Sequence, residues 1–79
     1  MKIEVLGSGC PKCGELEKRA REAVRRSGMK AEVEHIYDFS EIVARNVVST
    51  PALAVDGKIV SAGRLPSVEE IVAMLGKRE

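Results

Sequence analysis

Between Ile3 and Tyr37 the hydrophobic period changes twice, and that succession most constrains the fold. Ile3 to Leu6 is a short apolar run ended by Gly7-Ser8-Gly9, which reads as a buried strand. From Pro11 to Ser27 the apolar positions Leu16, Ala20, Ala23 and Val24 recur at i, i+4, i+7 and i+8, one face of a helix. Ala31 to Tyr37 then alternates, with Ala31, Val33, His35 and Tyr37 set against Glu32, Glu34 and Ile36. Such alternation predicts a strand with one wet face, near a sheet edge. A strand, a helix and a second strand make a right-handed crossover, so the two strands run parallel.

Local signals place the remaining elements. On the long helix Glu15–Arg19, Glu17–Arg21 and Glu22–Arg26 are Glu-before-Arg pairs at i, i+4, and Gly28 is a natural stop. Asp38-Phe39-Ser40-Glu41 has the spacing of a capping box and predicts a short helix with Phe39, Ile42 and Val43 inward, ending near Asn46. Ala52 to Val55 and Lys58 to Ala62 flank Asp56-Gly57, a type I′ hairpin signal. Ser67-Val68-Glu69-Glu70 is a second capping box, opening a helix that buries Val68, Ile71, Val72 and Leu75 and stops at Gly76. The expected order is β-α-β-α-β-β-α, an α/β fold with a mixed four-stranded sheet flanked by three helices. At 79 residues the chain is read as one domain, 1–79.

The charge pattern narrows the function classes. Thirteen basic and twelve acidic residues are interleaved, which leaves no nucleic-acid footprint and no polybasic membrane-binding segment. The chain enters its first strand directly, without a secretion-type apolar region or a run of transmembrane length, so a cytoplasmic address and a monomer are expected.

Against that background stand two cysteines in a single motif, Cys10-Pro11-Lys12-Cys13, at the strand-to-helix junction. Proline suits the first helical position, which makes Cys10 the N-cap. There its sulfur faces unpaired N–H groups and the positive end of the helix dipole, with the Lys12 ammonium close by. Such surroundings lower a thiol pKa to roughly 3.5–7.5. Cys13, a turn into the helix, is expected to be more covered. The asymmetry assigns Cys10 as attacking thiol and Cys13 as resolving thiol. In a reducing compartment a lone C-x-x-C is catalytic or metal-binding before it is a structural staple. Thr50-Pro51 opens the hairpin strand expected beside the first strand, and a cis bond there would turn backbone groups toward an extended peptide.

Taken together, Cys10-Pro11-Lys12-Cys13 after a first strand, Thr50-Pro51 before an Asp56-Gly57 hairpin, and Gly63 after the last strand resemble the thioredoxin fold. The likeness is to its minimal branch of small redox-active disulfide proteins, which lack the additional N-terminal strand and helix. It implies a thiol–disulfide oxidoreductase with Cys10 as nucleophile, Cys13 as resolving thiol and Pro51 as substrate-adjacent cis-proline. Pro11, Lys12, Thr50, Pro51 and Gly63 are the expected substrate-facing residues. The implied partners are a protein disulfide and a reductase, with no cofactor. Ser8-Gly9 stands where full thioredoxins carry an aromatic, Pro11-Lys12 replaces their Gly-Pro, and no buried acid is evident near the motif. The competing reading is a soft-metal carrier for Cu(I) or zinc, since Gly7-Ser8-Gly9-Cys10-x-x-Cys13 resembles the loop of heavy-metal-associated domains. Those domains end on a strand, whereas this chain ends on a helix. A third reading is a non-catalytic interaction module. His35 is expected as a partly exposed strand residue, and Tyr37 and Phe39 as core or rim.

Overall fold

The computed structural model of the chain describes residues 1–7, 11–47 and 49–76. Its elements are β1 (Lys2–Leu6), α1 (Pro11–Ser27), β2 (Glu32–Ile36), α2 (Phe39–Ala44), β3 (Ala52–Val55), β4 (Lys58–Ala62) and α3 (Val68–Gly76). The strands form one sheet in the order β2-β1-β3-β4. β1 runs parallel to β2 and antiparallel to β3, and β3 is antiparallel to β4. This is the mixed four-stranded α/β architecture expected, with the alternating strand at an edge.

Side-chain alternation sends β1 and β3 to two different cores. Ile3 and Val5 of β1 and Leu53 and Val55 of β3 face α1 and α3, meeting Leu16, Ala20, Ala23, Ile71 and Leu75. Leu6, Ala52 and Ala54 face the other way, toward Ile42 of α2 and Val47.

The local signals act as read. Ser67 Oγ accepts the Glu70 amide at 3.1 Å, and Glu70 Oε1 accepts the Ser67 amide at 2.8 Å, a reciprocal capping box. Asp56 (φ 52°) and Gly57 (φ 83°) both lie in the left-handed region that a type I′ turn demands. The three predicted ion pairs on α1 form at 2.9, 2.8 and 3.0 Å.

Corrections fall mainly on α2. Its cap, Asp38, accepts the Ser40 amide at 3.0 Å and the Ser40 hydroxyl at 2.7 Å. Of the three inward residues expected, only Ile42 is buried; Phe39 is 71% and Val43 53% exposed. A six-residue helix completes fewer than two turns, so one position faces the sheet and its neighbours swing outward. On α3, Ile71 and Leu75 are fully buried while Val68 and Val72 are half-buried at the margin.

Candidate functional site

The site grows from the end of β1. The parallel ladder continues one residue beyond the strand, the Gly7 amide donating to the Ile36 carbonyl at 3.1 Å. On its other side, the register that pairs Leu6 with Ala52 brings Gly7 level with Pro51. Gly7 is therefore fixed between β2 and the head of β3.

Cys13 comes to this point from α1. The helix begins at Pro11, as the spacing predicts, and carries Cys13 on the same buried stripe as Leu16, Ala20 and Ala23. Its side chain is fully buried. A Cβ placed on Gly7 would stand only 2.1 Å from Cys13 Sγ and 4.0 Å from Pro51 Cα. The sulfur thus rests on the bare Cα of Gly7, and only glycine leaves it room. Cys10, expected as the N-cap and nucleophile, lies outside the described residues, as do Ser8 and Gly9. Pro11 and Lys12 are exposed at the helix head.

The hairpin supplies the third wall. The Thr50–Pro51 peptide bond is cis. Pro51 is buried and Thr50 exposed. The Pro51 carbonyl accepts the Gly63 amide at 2.9 Å. Gly63 has φ of 73°, and a Cβ there would meet Ser49 Cβ at 2.9 Å. Glycine is needed at 63 both for its backbone and for this approach. Cys13, Pro51 and Gly63 are brought to one end of the sheet although 50 positions separate the first from the last.

Two polar residues have surroundings that the sequence did not reveal, His35 beside Gly7 and Glu4 on the other face of the sheet. His35 is a half-buried strand residue, as expected, but its imidazole is covered, the side chain being 6% exposed. Nδ1 lies 2.7 Å from Glu17 Oε1 and Nε2 lies 3.1 Å from the Gly7 carbonyl. Tyr37, 60% exposed and so at the rim and not in the core, stacks on the imidazole with ring centroids 4.0 Å apart. Glu17 is further held by Arg21, at 3.1 and 2.8 Å. Hydrogen bonds from Arg21 and His35 hold the Glu17 carboxyl below its ordinary pKa. The second residue is Glu4 of β1, a buried acid that the sequence did not reveal. It is 4% exposed and accepts a hydrogen bond from Arg45 Nη1 on the α2 face. The alternation of β1 held the only signal, since Glu4 shares its face with the buried Leu6.

Among the described residues no three metal-ligating side chains gather in one place. Both ring nitrogens of His35 are engaged within the protein.

The sequence profile of the thioredoxin domain matches residues 1–76. The chain belongs to the thioredoxin-domain family. It is 45% identical over 75 residues to a thioredoxin of Methanothermobacter thermautotrophicus, covering 95% of this chain and 97% of the relative. It is 44% identical over 69 residues to a thioredoxin of Methanocaldococcus jannaschii, covering 87% of this chain and 79% of that one. The sheet and three helices are accordingly a minimal thioredoxin-like fold. Membership makes the chain a thiol–disulfide oxidoreductase, a disulfide reductase whose partners are protein disulfides and a reductase that returns the electrons.

Proposed function

We propose that Cys10 and Cys13 are the redox couple of this oxidoreductase, with Cys10 the nucleophile and Cys13 the resolving thiol. The observation that supports it is the seat of Cys13: its sulfur is fully buried on Gly7, beside Pro51, three residues into a helix that starts at Pro11. A buried second thiol one turn below the helix head is suited to attack a neighbouring sulfur rather than an incoming protein.

The reaction runs in two displacements. The Cys10 thiolate attacks one sulfur of the substrate disulfide, forming a mixed disulfide and releasing the first substrate thiolate. The Cys13 thiolate then attacks Cys10 sulfur, forming the Cys10–Cys13 disulfide and releasing the second thiolate. The substrate gains two electrons and two protons, and a reductase dithiol restores the starting pair. Pro11, Lys12, Thr50, Pro51 and Gly63 form the substrate platform, with exposed Thr50 offering its backbone to an extended peptide. The protein acts as a single domain, 1–79, and as a cytoplasmic monomer. Among the described residues no helix is long and apolar enough to cross a membrane.

Alkylation at graded pH tests the assignment. Cys10 is expected to react well below the ordinary thiol range, and Cys13 only after it. The Cys13→Ser variant should trap mixed disulfides through Cys10, and Cys10→Ser almost none. Equal labelling of both thiols near pH 8.5 would refute the division of roles.

A further inference from the structure

Among the described residues, His35 ties together the three elements that surround the Cys13 sulfur: β2, the end of β1 and α1. It stands on β2, with Val5 of β1 as its ladder partner. Through Nε2 it reaches the carbonyl of Gly7, the residue under the sulfur. Through Nδ1 it reaches Glu17, one turn beyond Cys13 on the same helix. A carbonyl and a carboxylate only accept, so each contact is made by a ring N–H when that nitrogen carries its proton. Glu17 is anchored in turn by Arg21, whose Nη2 also donates to the Val33 carbonyl of β2 at 3.3 Å. The stacked Tyr37 closes the open face of the ring. The Gly7 peptide is therefore held at both ends, its amide by Ile36 and its carbonyl by His35.

We propose that His35 is a positioning residue for the Cys10–Cys13 couple: it pins the Gly7 peptide and α1 against each other and so fixes the place of the Cys13 sulfur. This inference rests on the reading of Cys10–Cys13 as the redox pair. Its consequence follows from preorganisation. Closing an intramolecular disulfide is favoured by the effective concentration of one thiol at the other, which falls when either sulfur gains freedom. Releasing Gly7 should therefore weaken the disulfide relative to the dithiol and slow the resolving step. Loss of positive charge would do the opposite, since a nearby cation favours the thiolate, and so the dithiol. The direction of the shift separates position from charge.

Two nearly isosteric substitutions make the test. His35→Gln carries an amide N–H to where Nε2 stood and can still hold the Gly7 carbonyl. His35→Asn reaches only as far as Nδ1 and cannot. Both remove the imidazole and any charge it carries. The full chain and each variant would be equilibrated in glutathione buffers of graded ratio, quenched by alkylation and counted by mass. For His35→Asn the equilibrium constant for the disulfide should fall threefold or more, with the glutathione mixed disulfide accumulating. His35→Gln, which keeps the Gly7 arm and gives up the Glu17 arm, should fall clearly less than the Asn variant. Glu17→Ala, which frees the same helix arm and leaves His35 on Gly7, should fall as the Gln variant does, and an unchanged constant there overturns the proposal if His35→Asn does not fold. An unchanged constant in the Asn variant, a shift toward the disulfide, or equal shifts in Asn and Gln would overturn the proposal. If the parent chain forms no Cys10–Cys13 disulfide in any buffer, the redox reading itself has failed and the inference falls with it.

Discussion

Against one face of the sheet, α1 and α3 close a dry core in which Ile3, Val5, Leu16, Leu53, Ile71 and Leu75 are all fully buried. The other face carries a single six-residue helix, and its buried cluster is Leu6, Ile42, Val47, Ala52 and Ala54. Two of its members are alanines, and the space is completed by Glu4 paired with Arg45. Charge has taken a position that a hydrocarbon holds on the opposite face. Cys13 and the Glu17–His35 pair belong to the thick face, and Cys13 sits at the end of its buried stripe. The Cys13 end of the molecule is thus braced by the face that carries two helices. The thin face supports the sheet from behind and leaves Phe39 and Val43 in solvent.

Matched substitutions bring out the contrast. Ile71→Ala on the thick face should cost about 4 kcal/mol, and Ile42→Ala on the thin face about 2 kcal/mol, because a short surface helix can settle into the vacated space. Equal losses in denaturant melts would show the two faces to be packed alike. Next in size is the ion pair. Arg45→Met strands a buried carboxylate and should cost about 3 kcal/mol, toward the low end for a buried pair because Arg45 remains a third exposed. Adding Glu4→Leu should recover most of that loss, since an apolar pair of similar volume needs no desolvated charge. If the double variant is no better than the single, the pair holds the thin face in a way that hydrocarbon cannot replace.

A smaller effect separates the faces by pH. Hydrogen bonds from Arg21 and His35 depress the Glu17 pKa in the folded state. The stability this contributes is fully present above the ordinary glutamate value of 4.5 and is lost as pH falls below it through the folded value. Glu17→Gln should flatten the acid limb of a stability–pH curve, and an unchanged limb would show that the clamp carries no linked proton. Smallest of all, Phe39→Ser and Val43→Ser should each leave stability within about 0.5 kcal/mol. A larger loss on thermal melting would mean that these side chains pack against something in solution.

Within the sequence itself, the features decided by neighbours along the chain were readable. The reciprocal cap of Ser67 and Glu70, the left-handed pair Asp56-Gly57 and the three ion pairs of α1 all join residues no more than four positions apart. Their geometry follows from backbone form alone. Element order and the parallel crossover followed from period changes, because a twisted strand admits one hand of return. Tertiary structure decided what those elements bring together. That Gly7 is the seat of the Cys13 sulfur depends on how α1 lies over β1. That His35 joins Gly7 to Glu17 depends on contacts 28 and 18 positions apart. Glu4 is buried because Arg45, 41 positions away, comes back across the sheet. Phe39 and Val43 read as core residues because an apolar pattern records hydrophobicity and not the area available to cover it. Only the packed sheet sets how much of a six-residue helix can be buried.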